Sequence, residues 1–351
     1  MKLAHRWTVA SALGPGGNGG KLAQPVLFVE LLDADGLRGW GEAAPSARYG
    51  ENVESANEFV EHVDPAHLSF ADLAGSTGYL RRLLPGQQAA KAALNLALVD
   101  GAARLAGKSA HDFLGLPFTE GRHLTSLTLG LDAPDVVRQK AIEAAGFPIL
   151  KLKVGGPADR EVLRAVREVA PDKPLRVDAN EAWTSRDEAL RNLEWLATDG
   201  RVQFVEQPMP ASTALTDLVW LKERSPLPLF GDESYRYAGN LEACREAFHG
   251  VNVKLVKAGG ITVAMEALKA ARQAGLQTML GCMVESSLLI TAAAHLAELT
   301  DHLDLDGNLL VTNDPFEGVR TDAGRMSLAE LPSPVGLGVR PRFGDAAGPR
   351  E

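Results

Sequence analysis

The sequence predicts an α/β fold: a (β/α)8-type barrel of the modified TIM kind, with an α+β N-terminal capping domain completed by the C-terminal tail. Short β-rich runs recur from about residue 120, each followed by a helical stretch. Polar residues at the ends of these runs stand at 153, 178, 206, 232, 254, 282 and 304, giving steps of 25, 28, 26, 22, 28 and 22. Eight strands at so even a step suit a closed barrel. A doubly wound sheet is the alternative, and it offers no reason for the regularity.

Residues 1–120 read as the capping domain and 121–325 as the barrel, with 326–351 packing back on the first unit. "QPVLFVELLDADGLRGWGEAAP" (Gln24–Pro45) suggests a hairpin turning at Asp35-Gly36. "GQQAAKAALNLALVDGAARLAG" (Gly86–Gly107) is helical by its alanines and its i, i+3, i+4 apolar spacing, with Gly101 a blemish in the pattern. The Gly-rich Gly14–Lys21 fails the GxxxxGK[ST] phosphate-loop template and reads as a flexible loop.

The barrel runs are "LTSLTLG", "ILKLKVG", "LRVDAN", "VQFVEQP", "LPLFGDES", "VNVKLVKAGG", "QTMLGCM" and "DHLDLDG". Gly146, Gly200 and Gly250 precede three of them and are expected as helix C-caps. The tail after about 325 is rich in Pro and Gly.

Composition excludes several classes. The 351 residues are 45% hydrophobic and 23% charged, ordinary for a globular chain. A formal net charge of −9 argues against nucleic acid and anionic membrane surfaces as partners. Two cysteines, Cys244 and Cys282, make neither a disulfide framework nor a paired zinc motif. The first residues lack the apolar core of a signal peptide, and no run reaches a membrane span, so a cytoplasmic location is expected. Oligomeric state is not legible, and a homo-oligomer fits as well as a monomer.

The chemistry sits at the strand ends. Lys151 and Lys153 close the second strand, Asp178 the third, Glu206 the fourth, Asp232 the fifth, Lys254 the sixth, and Asp304 with Asp306 the eighth. In a barrel these ends meet at one mouth. Any one acid there is more often a helix cap, and any one lysine a solvated side chain. The set argues otherwise: acids from three consecutive strands, flanked by lysines on both sides. Three carboxylates without clustered His or Cys suit a hard divalent cation such as Mg²⁺, acting as a Lewis acid on a substrate carboxylate. His295, on a helical run, reads as structural.

The lysines are candidate bases. Residues two apart in a strand lie roughly 6.6 Å apart on one face. At an effective dielectric near 20, Lys151 would destabilise protonated Lys153 by about 2.5 kcal/mol, or roughly two pKa units. One base on each flank of a metal fits removal of a proton from one face of a carbon and its return to the other. A Schiff-base aldolase using one barrel lysine is the rival from another class, and it leaves the three acids unexplained.

These residues resemble the enolase superfamily, specifically its muconate-lactonizing subgroup, over nearly the whole chain: "GWGEAAP", "KLKVGG", "VDANEAW", "VEQP", "GDES" and "NVKLVKAGG". The resemblance implies one Mg²⁺ per subunit on Asp178, Glu206 and Asp232. It also implies Lys153 and Lys254 as acid/base catalysts, with Lys257 the lesser candidate, and a metal-stabilised enediolate. "DLDG" with "RYGE" and "GCMVESS" is most similar to the dipeptide epimerases (L-Ala-D/L-Glu epimerase-like), in which Asp304 and Asp306 would hold a dipeptide's ammonium group. Thr128, Cys282 and Val284 match positions contacting the dipeptide, and Lys151 would line the same pocket. The implied reaction inverts the Cα of the dipeptide's C-terminal residue. o-Succinylbenzoate synthase, N-acylamino acid racemase and muconate cycloisomerase share the scaffold, but their substrates lack a free ammonium. The stretch Ser11–Gly20 carries no charge, which favours a neutral over an acidic second residue. Preferred side chains, stereochemical direction and pathway are not legible.

Overall fold

The computed structural model describes residues 1–4, 23–237 and 239–342. Gly14–Lys21 and the rest of the uncharged stretch Ser11–Gly20 lie outside the described residues. The N-terminal unit is antiparallel: β1 (Lys2–Ala4) pairs with β2 (Ala23–Pro25), and β3 (Leu27–Leu32) with β4 (Arg38–Ala43). Asp33 shapes the β3–β4 turn, its carboxylate accepting from the backbone N–H groups of Asp35 and Leu37, while Gly36 takes φ 82°. Three helices follow, α1 (Val53–Glu61), α2 (Leu73–Leu83) and α3 (Gln88–Leu105), then the single turn α4 (Ala110–Phe113).

Helix α3 is alanine-rich because β4 lies directly on it. A Cβ on Gly41 would sit 1.8 Å from the Ala93 carbonyl oxygen, and one on Gly39 2.0 Å from that of Ala97. Strand and helix meet backbone to backbone, which only Gly on one side and Ala on the other permit. Gly101 makes room for an aromatic side chain instead, since a Cβ there would fall 2.2 Å from the Phe70 ring.

Eight parallel strands form one sheet in sequence order: β5 (Leu127–Leu129), β6 (Leu150–Lys153), β7 (Leu175–Asp178), β8 (Val202–Glu206), β9 (Leu229–Gly231), β10 (Gly250–Lys254), β11 (Gln277–Gly281) and β12 (His302–Asp304). The ring is brought round by a parallel bridge between Thr125 and Leu303, with Ser126 N–H donating to the Leu303 carbonyl. Helices α5 (Pro134–Glu143), α6 (Asp159–Val169), α7 (Arg186–Ala197), α8 (Leu215–Arg224) and α9 (Leu241–Ala247) link β5 to β10 in turn. The short α10 (Leu255–Ala258) and longer α11 (Ile261–Gln273) lead to β11, and α12 (Ser287–Ala294) follows it. Among the described residues no helix is long and apolar enough to cross a membrane.

Of the three glycines expected as caps, only Gly200 takes left-handed backbone, at φ 70°. Gly146 does not adopt it, and Gly250 belongs to β10, where a Cβ would meet the Phe230 ring at 2.4 Å. That glycine makes room for an aromatic side chain.

The strands' period of two layers the barrel. Phe204 and Phe230 stack at 4.2 Å between centroids, and Arg176 covers Phe204. Two residues further along the same strands stand Asp178, Glu206 and Asp232. An aromatic floor therefore carries a charged layer. The tail returns to the first unit: Leu337 N–H donates to Asp100 on α3, and Ala110 N–H to the Gly336 carbonyl. β13 (Phe316–Glu317) pairs with β16 (Arg340–Pro341), and the Phe316 ring packs on Phe28 and Trp40. β14 (Arg320–Asp322) and β15 (Arg325–Ser327) form a hairpin between them.

Candidate active site

Lys151 and Lys153 both point into the barrel from β6. The Lys151 ammonium lies 2.6 Å from Asp304, 2.7 Å from Glu206 and 3.0 Å from Asp178. Lys153 lies 2.7 Å from the same Asp178 oxygen that Lys151 approaches. The repulsion expected from strand spacing counts the two lysines alone. The structure corrects this, because Asp178 stands between them and screens their repulsion. Burial opposes the charge of Lys151, yet Asp178, Asp304 and Glu206 together hold its pKa well above the usual lysine value. It is 2% exposed, so it forms the floor of the site rather than an open wall.

The three acids come from adjacent strands. Asp178 ends β7 in register with Glu206 at the end of β8, and Asp232 follows β9 by one residue. All three are buried. Each Asp232 oxygen meets a lysine, Oδ2 with Lys254 at 2.8 Å and Oδ1 with Lys257 at 2.5 Å. Glu206 Oε1 accepts from Asn252 at 2.7 Å. Burial works against the charge of Asp178 and Asp232, but paired lysines hold both below the ordinary carboxylate range. Burial, with Asp178 alongside, pushes Glu206 up to about 7. Burial opposes the charge of Lys254 as well, yet Asp232 with Tyr49 and Glu206 holds it well above its usual value.

Among the described residues no three acidic, imidazole or thiol side chains stand posed to ligate one ion. Lysine ammonium groups take the carboxylate oxygens instead. The donor chemistry nevertheless fits a hard cation. Glu233 Oε2 and Asn180 Oδ1 are buried without a hydrogen-bond partner. Burial and the neighbouring Asp232 and Asp178 push Glu233 up to about 8. Surplus buried oxygens and crowded negative charge are what a divalent ion relieves.

The β12 aspartates differ. Asp304 is engaged by Lys151 and by the Ser126 hydroxyl at 2.8 Å. Asp306 lies two residues past the strand end, on the turn before the 3-10 helix Gly307–Leu310, and makes no capping bond there. It accepts from the Thr128 N–H at 2.6 Å, so Thr128 contributes its backbone. Burial and Asp304 push Asp306 up to about 6. Cys282 Sγ lies 3.9 Å from Asp306, and burial holds its thiol well above the usual range. Val284 is buried.

The strand-end reading missed several contacts. Tyr49 lies beside Lys254 and Asp232, brought there from the N-terminal unit by a turn whose Arg48 pairs with Glu181 in a two-pronged contact of 2.6 and 2.5 Å. The "RYGE" motif marked the turn but not its target. Glu42 on β4 accepts from both the N–H and the hydroxyl of Ser286, the N-cap of α12, which ties the hairpin to the loop after β11. Lys257, set aside as a base, grips Asp232.

Two family models match the chain: "Mandelate racemase / muconate lactonizing enzyme, N-terminal domain" over residues 18–115, and "Enolase C-terminal domain-like" over residues 135–346. A Pedosphaera parvula protein known as L-Ala-D/L-amino acid epimerase is 53% identical, covering 97% of this chain and 97% of its own. The L-Ala-D/L-Glu epimerase of Bacteroides thetaiotaomicron is 39% identical, over 97% of this chain and 85% of its own. The structure is similar to that of an Enterococcus faecalis dipeptide epimerase complexed with Mg and L-Leu-L-Tyr (TM-score 0.87, 31% identity, 97% of each chain).

Proposed function

The chain belongs to the enolase superfamily, in its mandelate racemase / muconate lactonizing enzyme branch, and on that premise we propose that it is a dipeptide epimerase. It is an isomerase that inverts the Cα of a dipeptide's C-terminal residue. The observation that carries the two-base assignment is the placing of two ammonium groups on opposite flanks of an acid cluster. Lys153 sits on Asp178 and Lys254 on Asp232, with Glu206 between those acids.

In this reading Asp178, Glu206 and Asp232 hold one Mg²⁺ per subunit. Bound there, the ion supplies positive charge to offset the negative charge the substrate carboxylate gains when Cα loses its proton. Lys153 takes or returns that proton on one face of Cα and Lys254 on the other. Lys151 neutralises the acids beneath them. Asp306 receives the substrate ammonium, with Asp304 holding Lys151 behind it. Thr128 fixes Asp306, and the loop carrying Cys282 and Val284 borders the same corner. We place the reaction in the cytoplasm. The tail contacts support a capping unit of residues 1–120 with 326–351 on a barrel of 121–325.

The uncharged Ser11–Gly20 stretch supports a neutral second residue, although the Bacteroides thetaiotaomicron relative is named for an acidic one. Incubating the enzyme and Mg²⁺ with L,L-dipeptides in D₂O tests the reading. The expected result is inversion and deuterium at the C-terminal Cα, abolished by a chelator. Inversion at the N-terminal residue, or activity indifferent to chelation, would overturn it.

A further inference from the structure

Lys257 has no part in the proposed proton transfer, yet its ammonium is fully engaged at the mouth. Its ammonium meets Asp232 Oδ1 at 2.5 Å, the Asp232 carbonyl at 2.7 Å, the Asn252 carbonyl at 3.2 Å and the Tyr235 carbonyl at 3.5 Å. An ammonium has three N–H donors, so none is left for a substrate. Its side chain is 6% exposed. The local backbone dictates this placement. Lys254 ends β10 at the N-cap of α10, and Lys257 lies three residues on, within that one-turn helix. Residues three apart share a helix face, so both side chains converge on Asp232 from one side.

The two contacts divide the carboxylate. Lys257 holds Oδ1 and also ties Asp232 to the backbone of β10 and of the loop before α9, while Oδ2 alone faces Lys254. We propose that Lys257 is a positioning residue: it pins Asp232 so that Lys254 is aimed at the substrate's Cα. The inference rests on the two-base epimerase reading and deepens it. Without the Lys257 ammonium, Asp232 can rotate, and Lys254 faces the whole carboxylate instead of one oxygen. Lys153, held by Asp178 across the mouth, has no such dependence. The structure therefore assigns Lys257 to one flank only.

That asymmetry supplies the test. Wild-type, K153A, K254A and K257M enzymes with Mg²⁺ are incubated in D₂O with each epimer of one dipeptide separately. Deuterium in the recovered, uninverted starting epimer is followed by mass spectrometry. K153A and K254A should each silence exchange from a different epimer. K257M should slow the epimer that K254A silences at least about tenfold more than the other, the scale of losing a charged hydrogen bond. Equal slowing of both epimers, or none, would overturn the inference. Poor folding or lost metal lowers both rates alike, so the ratio separates positioning from general damage. If K257M does not fold, K257Q carries the same prediction, and K257R, which keeps the charge, should restore much of the ratio. Should K153A and K254A fail to separate the epimers, the two-base reading falls and takes this inference with it.

Discussion

The ammonium of Lys151 lies 2.6 Å from Asp304, and that contact divides the two aspartates of the eighth strand between different tasks. Asp304 already has a buried cation, whereas Asp306 is met by Thr128 and a distant thiol. D306N should therefore raise KM for dipeptides with a free amine while changing kcat less, and should leave the weak binding of N-acetylated dipeptides unchanged. D304N should instead lower stability by about 2 kcal/mol, since it removes one of three acids around a buried ammonium. Steady-state kinetics and denaturant melts distinguish the two.

Gly41 should tolerate no side chain. A Cβ placed there falls 1.8 Å from the Ala93 carbonyl oxygen, a backbone atom that moves only with helix α3. G41A should cost about 3 kcal/mol or more, read from the denaturant midpoint. A midpoint equal to that of the wild type would show that strand and helix separate easily.

Glu42 should make stability fall with rising pH. Burial raises its pKa from the ordinary 4.5 to about 8, against the hydrogen bonds from Ser286. The folded state then binds the proton more tightly than the unfolded chain. The stabilisation is complete below about 4.5 and is lost as pH climbs through about 8. E42Q should flatten that part of the Tm profile, so the wild-type advantage over the variant shrinks from pH 5 to pH 8. A constant difference across that range would contradict the account.

Glu206 carries the prediction for the ion. E206Q keeps the shape and one oxygen but removes a buried negative charge. Mg²⁺ affinity by calorimetry should drop at least about tenfold, while Q203E, on the same strand outside the acid cluster, should leave it unchanged. Equal affinities for wild type and E206Q would remove Glu206 from the proposed metal site.

The barrel was legible because its strands repeat evenly and end on charge, and parallel strands place those ends together whatever lies between them. The alanines of α3 announced a helix, and the glycines of "GWGEA" marked where it would be approached, although neither identified the other. Contacts between distant segments were hidden. Nothing in "KLK" says that Lys151 sinks beneath Asp304, 153 residues away. Nothing in "GWGEA" says that Glu42 holds the residue capping a helix, Ser286, 244 residues later. Lys257 was half legible: its i+3 spacing from Lys254 puts both on one face, but its acceptors are mainly backbone carbonyls, which carry no sequence signature. Asp306 was expected on the strand and lies past its end, because β12 stops at Asp304.

The placing of one lysine on each flank of the acids is tested most directly by Cα exchange in K153A and K254A, measured in D₂O from each epimer of a dipeptide. The account predicts that neither variant epimerises and that each still exchanges the Cα proton of one epimer, a different one in each case. Normal epimerisation by both single variants would contradict it.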